Sequence, residues 1–176
     1  MIGLGDPKKP AKKYSSPRNP WRADQLAQEL YLLGVYGLRN KREFWKAQTQ
    51  LSNLRKQARN LLATTTEMRI REEPKFLDSL KRRGIIGTGA TLDDVLSLTV
   101  ENLLERRLQT IVWRKGIAIS PHQARQLITH RHVTIVDRII TIPSYNVSAD
   151  EEGHVTISEG SSLKARQSLS PPPLAV

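Results

Sequence analysis

The chain of 176 residues contains no cysteine, so disulfide bonds and thiolate zinc sites are excluded. It also lacks an apolar run long enough to span a bilayer, and it does not open on the charged-then-apolar pattern of a secretory signal. These absences predict a cytoplasmic protein that has no redox-active thiols and no membrane partner.

Acidic residues are the second shortage. Lys and Arg total 28 against 17 Asp and Glu, which gives a formal charge of +11 and a pI near 10.3. Residues 106–136 contain no acid at all, although they carry six Lys or Arg and three His. A surface that carries only positive charge is suited to binding a polyanion. Because the chain has no membrane segment, nucleic acid is the favoured partner.

The same stretch has helical periodicity. Four apolar residues recur three and four positions apart: Leu104, Leu108, Ile111 and Val112. The spacing predicts one helix that ends at Gly116 and presents Arg107, Thr110 and Arg114 together on an exposed polar face. Ser120 and Pro121 then predict a second helix start, since serine caps helices and proline suits the first helical position. His122, Arg125 and Thr129 share the polar side of this second helix.

Beyond His130 the spacing of the apolar residues changes from the period of a helix to the two-residue alternation of a strand. Residues 132–135 and 139–142 are rich in β-branched side chains and predict two paired strands, the second closed by Pro143. The residues between them include Val136 and Asp137. Because positive φ is costly for a β-branched residue, a two-residue type I′ turn is not expected there.

Several motifs resemble one family, the universal small-subunit ribosomal protein S-four. In the central stretch they are Arg107-Leu108, residues 124–128, His130, Val133 and residues 142–145. Three further segments resemble the archaeal and eukaryotic branch of this family: the opening GDPKKP, residues 36–43 and residues 91–96. The resemblance implies an RNA-binding module of two to three helices packed on a short, mainly antiparallel β-ribbon. Related modules occur in pseudouridine synthases, a ribosome-rescue protein and tyrosyl-tRNA synthetases.

The first half of the chain is predicted to be helical. Asn19-Pro20 predicts a helix start, with Gly34 and Gly37 at its end, and Asn40 predicts the start of a long helix to about Ala63. Between residues 39 and 59 seven positive residues accompany a single acid, Glu43. A charged helix face is usually only solvated. Here its single sign and its recurrence in residues 106–136 favour binding to RNA.

The remaining segments are connections and tails. Residues 64–73 are predicted as a loop, residues 74–83 as a short helix, and residues 84–90 as a glycine-rich linker. Thr91 and Thr99 each predict a helix start. Residues 154–157 predict one more short strand, and the Ser- and Pro-rich residues from 158 onward are predicted to be disordered.

Together these features predict an α+β protein in four parts. They are a basic extension over 1–20, a helical RNA-binding domain over 21–90, the RNA-binding module over 91–147, and an acidic turn with a tail over 148–176. No convergent catalytic groups are found, and His130 and His132 lack a third metal ligand at recognisable spacing. No enzyme activity, metal, cofactor or small-molecule substrate is therefore expected.

The expected function is that of a structural ribosomal protein. The resemblance implies binding to small-subunit ribosomal RNA, contacts with neighbouring ribosomal proteins, nucleation of 5′-domain assembly and an influence on translational accuracy. The alternative is an RNA-modifying or ribosome-rescue factor that carries the same module. The residues expected to contact RNA are Lys8, Lys9, Lys12, Lys13, Arg39, Lys41, Arg42, Lys46, Arg55, Lys56, Arg59, Arg106, Arg107, Gln109, Arg114, Lys115, Ser120, His122, Arg125, Gln126, His130, Arg131 and His132.

Overall fold

The first part of the fold consists of five helices. The computed structural model of the chain describes residues 12–158 and 160–161. The five helices are α1 (Ala23–Val35), α2 (Lys41–Ala63), α3 (Thr66–Arg82), α4 (Leu92–Ser97) and α5 (Val100–Glu105). The long helix α2 contacts the other four, because its apolar seam, including Leu51, Leu54 and Ala58, is buried against them.

The second part is a small α+β unit, which confirms the predicted fold class. It contains α6 (Leu108–Arg114), α7 (Pro121–Thr129), β1 (Val133–Ile135), β2 (Arg138–Ile139), α8 (Ala149–Glu152) and β3 (Val155–Ile157). The three strands form one antiparallel sheet in the order β2-β1-β3. The last strand lies beyond residue 147, outside the range 91–147 predicted for the module, yet it pairs with β1.

The apolar core lies in three clusters, two of which α5 connects. One cluster fills the α+β unit around Leu108, Val112 and Ile128. A second lies between α2, α3 and α4, and a third lies where α1 meets α2 around Tyr36 and Phe44. Val100 packs against both of these helical clusters, so α5 joins them into a continuous scaffold beside the α+β unit.

Several predicted helix starts are confirmed. The side chain of Asn40 accepts a hydrogen bond from the Glu43 N–H at 3.2 Å, and Ser120 accepts from the Gln123 N–H at 3.2 Å. The backbone N–H groups of Thr91 and Thr99 each donate to a side-chain oxygen three residues later. These side chains satisfy amide groups that have no partner within the helix, which is why they mark its beginning.

Two helix predictions are wrong at their boundaries. Helix α1 begins at Ala23, with Arg22 rather than Asn19 at its cap. Residues 66–73, predicted as a loop, belong to α3, which continues through Pro74. Two local features support this helix on either side of the proline: the Arg69–Glu73 ion pair before it, and the burial of Leu77 and Leu80 after it. Packing of this kind overrides the local helix-breaking preference of proline.

The single helix predicted through Leu104 and Gly116 is broken at Arg106 and Arg107. Backbone ψ changes from 0° at Arg106 to 141° at Arg107, which caps the new helix α6. The backbone at the break is bonded to the chain that follows β2: Val147 N–H donates to Arg106 O at 3.0 Å, and Leu108 N–H donates to Tyr145 O at 2.8 Å. These long-range hydrogen bonds replace the backbone hydrogen bonds of a continuous helix. They cannot be predicted from the spacing of apolar residues in the sequence.

The turn between β1 and β2 also differs from expectation. Val136 and Asp137 have φ of 45° and 64°, the pattern of a type I′ turn, although valine argued against it. The β1–β2 register pairs Ile135 with Arg138 and leaves only two residues for the connection, so pairing imposes the left-handed backbone. The strands are also shorter than predicted. No helix of the described residues has the length and apolar character required to cross a membrane.

Candidate nucleic-acid interface

Glu43 links the two parts of the fold. It lies in the first turn of α2, where Asn40 fixes the start of the helix. Its Oε2 accepts a hydrogen bond from Arg107 Nη2 at 2.6 Å, and its Oε1 accepts from Arg125 Nη2 at 2.8 Å. One carboxylate therefore holds the start of α6 and the middle of α7 against the start of α2.

Gln109 extends this link into the buried interior. Its Nε2 donates to the carbonyl oxygens of Gly37 at 2.9 Å, Pro121 at 3.0 Å and Tyr36 at 3.3 Å. Its Oε1 accepts from Arg125 Nη1 at 3.3 Å. We call Glu43, Arg107, Gln109 and Arg125 the junction cluster. A buried polar group is costly unless it is bonded, so this cluster strongly favours one relative placement of the two parts.

The electrostatics of the cluster favour the ionised form of Glu43. Burial by itself raises the pKa of this carboxyl, but the hydrogen bonds and charges of Arg125 and Arg107 outweigh burial and hold the pKa below its usual value. The charge on Glu43 is therefore retained at neutral pH, where it neutralises part of the charge on the two arginines.

The expected polar face of α6 is wrong for Arg107 and Thr110, which point inward, whereas Arg114 is exposed. The side chain of Arg107 is only 7% exposed, and Gln109 and Thr110 are buried. Thr110 Oγ1 donates to the Leu104 carbonyl at 2.8 Å, so Thr110 packs inside the protein. Sequence spacing showed that these residues lie close together, but not which way they face. Arg107 and Gln109, both predicted to contact RNA, instead bind the first half of the chain. Arg125 remains 24% exposed.

The junction cluster brings the exposed basic side of α2 next to the exposed polar side of α7. Arg39 and Arg42 flank the start of α2, and Lys46 lies one turn beyond Glu43 on the same helix. On α7, His122 and Gln126 are exposed beside Arg125. Because Arg125 bonds to Glu43, these side chains lie around one junction. We call this the junction surface, made of Arg39, Arg42, Lys46, His122, Arg125 and Gln126.

The other predicted residues on α2 fall into two groups. Lys56 and Arg59 are exposed and continue the basic side of the helix toward its end. Lys41 and Arg55 are half-buried and have partners within the chain: Lys41 Nζ lies 3.4 Å from Glu29 Oε2, and Arg55 Nη2 donates to the Leu98 carbonyl. The first group is available to a ligand, whereas the second helps to hold α2 in place.

The basic residues around α6 are also partnered. Arg106 Nη1 donates to Glu152 Oε2 at 2.7 Å, and Arg114 Nη2 donates to Glu105 Oε1 at 2.6 Å. Lys115 Nζ donates to the Glu152 carbonyl. These side chains line a cavity of about 400 Å³ between α5, α6 and α8. Arg114 and Lys115 remain exposed, so their partners do not remove them from solvent.

The remaining predicted residues lie at separate places. Lys12 is exposed above the ring of Tyr14, which stacks on Trp45, while Lys13 is exposed; Lys8 and Lys9 lie outside the described residues. His130 and Arg131 are exposed after α7, and His132 is half-buried with Nδ1 2.9 Å from Ser161 Oγ. Within residues 12–158 and 160–161, no group of three or more His, Cys, Asp or Glu could hold a metal ion. Ser120 serves as a helix cap.

One residue of the site was not predicted. The sequence pattern marks Glu43 as the single acid on a basic helix and as part of the Asn40 cap, but does not predict that it contacts the second half of the chain. Seven positive residues around one negative residue is the signal that could have found it, since an isolated acid in such a setting needs a local reason.

Two family models together account for most of the chain. Residues 8–105 match the ribosomal protein S4/S9 N-terminal domain, and residues 106–157 match the S4 domain. The chain belongs to the ribosomal protein S4 family. Membership confirms the resemblance seen in the motifs. The two matches meet between residues 105 and 106, where the structure breaks the helix between α5 and α6.

Archaeal relatives in this family share about half of their residues with the chain. It is 52% identical over 160 residues to a protein of Cenarchaeum symbiosum, covering 91% of this chain and 78% of the relative. It is 53% identical over 149 residues to a protein of Ignicoccus hospitalis, covering 85% of this chain and 90% of the relative. It is 49% identical over 164 residues to a protein of Hyperthermus butylicus, covering 93% of each chain. Each is named small ribosomal subunit protein uS4.

Proposed function

We propose that this chain is a structural component of the small ribosomal subunit that binds the subunit's RNA directly. The observation that carries the proposal is the junction cluster, because it places the exposed basic side of α2 and the exposed polar side of α7 around one junction. Family membership and the printed names of the relatives support the same assignment.

The proposed mechanism is recognition of RNA shape through the backbone. Arg39, Arg42, Lys46, Lys56 and Arg59 neutralise phosphates along α2, which releases bound counterions and supplies affinity without sequence preference. The amide and imidazole groups on α7 bond to phosphate or to ribose hydroxyls, which distinguish RNA from DNA. Since the two faces are fixed relative to each other, RNA segments that present phosphates in the matching arrangement bind best.

The family resemblance supports three finer proposals. They are early binding to the 5′ domain of the small-subunit RNA, an influence on decoding accuracy, and contacts with neighbouring small-subunit proteins in the cytoplasm. The four-part division of the chain also stays a prediction. The competing proposal is an RNA-modifying or ribosome-rescue factor. It is the weaker one, because residues 8–105 match a ribosomal protein domain that such a factor does not need.

A binding experiment with RNA fragments tests the proposal. The purified full chain is titrated against a fragment of the 5′ domain of small-subunit RNA and against a 3′-domain fragment of equal length at the same salt concentration. We expect saturable one-to-one binding to the first, stronger by at least about 4 kcal/mol than non-specific binding to the second. Equal affinity for both fragments would contradict direct recognition of the 5′ domain.

A further inference from the structure

The end of the basic N-terminal extension is attached to helix α2. The ring of Tyr14 stacks on the ring of Trp45, with 6.0 Å between the ring centroids and 26° between the ring planes. One residue later, Ser15 N–H donates to Thr49 Oγ1 at 2.9 Å. Lys12 Nζ lies 4.6 Å from the centroid of the Tyr14 ring, within the range of a cation–π contact. All of these contacts are made within the chain, so they hold the segment without requiring RNA.

Trp45 is itself held in place by the fold. Its Nε1–H donates to Glu29 Oε1 at 3.1 Å, and its side chain packs against the apolar cluster where α1 meets α2. Glu29 is buried, and its Oε2 lies 3.4 Å from Lys41 Nζ, so this carboxylate is fixed at both oxygens. Tyr14 therefore stacks on a side chain whose position is set by the packing of α1 and α2.

The attachment lies along the basic side of α2. Trp45 and Thr49 are four residues apart and Lys56 follows Thr49 by seven, so the three side chains lie along one side of the helix. Lys56 is exposed, and so are Lys12 and Lys13. The attached segment thus adds two ammonium groups to a side that already carries positive charge. Groups of one sign repel one another, and the contacts that hold this segment, an aromatic stack and a hydrogen bond between neutral groups, do not depend on opposite charges.

We propose that Trp45 is a positioning residue for RNA binding. Through Tyr14 it holds Lys12 and Lys13 on the basic side of α2, where they bind phosphates together with Lys56. This inference deepens the proposed function and rests on it. A lysine on an unattached chain has to be ordered when it binds, and the lost conformational freedom weakens the complex. Lysines that the fold already holds lose less freedom, so the same phosphate contacts give tighter binding.

Substitutions at Tyr14 test the role of the stack. The full chain is titrated with the 5′-domain fragment of small-subunit RNA at several salt concentrations. Tyr14→Ala is expected to weaken binding roughly tenfold. The slope of log K against log salt should not change, because the lysines still reach phosphate in the complex. Tyr14→Phe keeps the ring and should bind like the wild type. The matched control Tyr31→Ala removes a tyrosine of α1 that is 70% exposed and should leave the affinity unchanged.

Two results of this titration overturn the proposal. One is equal affinity of Tyr14→Ala and the wild type. The other is tighter binding by Tyr14→Ala, which would mean that the attached segment covers the RNA-binding side of α2 instead of contributing to it.

A double-mutant cycle separates positioning from a direct contact between Tyr14 and RNA. Trp45→Leu removes the ring on which Tyr14 stacks and keeps an apolar side chain for the cluster between α1 and α2. If Tyr14 acts through Trp45, the variant with both changes should bind about as tightly as either single variant. Losses of affinity that multiply would show that the two side chains act independently and would overturn the assignment. Circular dichroism verifies that each variant is folded.

Backbone order in the chain without RNA provides a second measurement that does not depend on Trp45→Leu. Amide ¹⁵N relaxation should show residues 12–15 as ordered as α2 in the wild type and in Tyr14→Phe, and more mobile in Tyr14→Ala. Equal mobility of these amides in the wild type and Tyr14→Ala overturns the proposal.

The two proposals fail in different ways. Equal binding of the wild type to the 5′-domain and 3′-domain fragments counts against the proposed function. Specific binding of the 5′-domain fragment by the wild type, with the same affinity in Tyr14→Ala, counts against the positioning role alone.

Discussion

Glu43 and Arg125 belong to different parts of the fold, yet Glu43 Oε1 lies 2.8 Å from Arg125 Nη2. The same carboxylate bonds to Arg107 through its other oxygen at 2.6 Å. The acid in a basic helix thus holds the arginines of the second half in position. An arginine on a polar face predicted from the sequence can therefore stabilise the fold as well as bind a ligand.

Replacing Glu43 by glutamine is expected to destabilise the protein. The change leaves the nearly buried Arg107 without its counter-charge, and breaking such a pair costs about 3–5 kcal/mol when fully buried. Because Glu43 and Arg125 keep some exposure, we expect about 2–3 kcal/mol, measured by urea unfolding. The control is Glu73→Gln, which removes a more exposed pair with Arg69 one turn away and should cost about 0.5 kcal/mol. Equal costs for the two variants would contradict the assigned role of the junction cluster.

Acidification should reduce the contribution of Glu43. Since its pKa is lowered in the folded protein, its stabilisation is fully present above the unfolded pKa of about 4.3 and is lost as pH falls through the folded pKa. The difference in unfolding free energy between the wild type and Glu43→Gln should therefore shrink between pH 6 and pH 3. Urea titrations of both proteins at each pH measure it. A difference that stays constant would show that charge is not the cause.

Charge changes on the exposed side of α2 should affect RNA binding and not stability. Lys46→Gln and Arg59→Gln each remove one proposed phosphate contact, so the slope of log K against log salt should fall by about 0.7–0.9 units per change. The control Arg71→Gln removes an exposed charge of α3, outside the proposed interface, and should leave the slope unchanged. Stability should stay within about 0.5 kcal/mol in all three variants. Equal slopes for all of them would remove α2 from the interface.

Replacing two nearby glycines by alanine should change the stability of the protein in opposite directions. Gly37 has φ of 58°, and a Cβ there would lie 2.7 Å from Pro121 Cβ and 3.0 Å from Gln109 Nε2. Gly37→Ala should therefore cost at least about 1–2 kcal/mol from the left-handed backbone alone. Gly34 lies inside α1 with open space around it, so Gly34→Ala should stabilise by roughly 0.5–1 kcal/mol. Thermal unfolding measures both, and a gain at Gly37 would refute the close approach of its backbone to α7.

The turn after β1 offers a stabilising substitution. Val136 has φ of 45°, which strains a β-branched residue but is tolerated by asparagine. Val136→Asn should raise the unfolding free energy by about 1 kcal/mol. Ile142→Asn is the control, because Ile142 is exposed to a similar degree, 57% against 59%, and its φ is not positive. Only the first change should stabilise; a loss at Val136 in urea unfolding would contradict the positive φ.

Local signals predicted much of the helical architecture. Asn40, Thr91, Thr99 and Ser120 each marked a helix start correctly, because a cap bonds to amides within the next three residues and needs no distant partner. The same signals failed at Arg106 and Arg107 and at Val136, where bonds from Val147 and strand pairing with β2 decide the backbone. Those partners are distant in sequence or depend on register.

The sequence by itself determined the family, the basic character and the fold class of this protein. Composition, helix caps and motifs are local properties of the sequence. Each can be identified without knowing the tertiary contacts. Only the tertiary structure decided which charged side chains remain available. Arg107 and Arg42 look alike in the sequence, but Arg107 is buried against Glu43 while Arg42 faces solvent. The difference arises because the fold brings a carboxylate from α2 to the start of α6, and burial then depends on that contact.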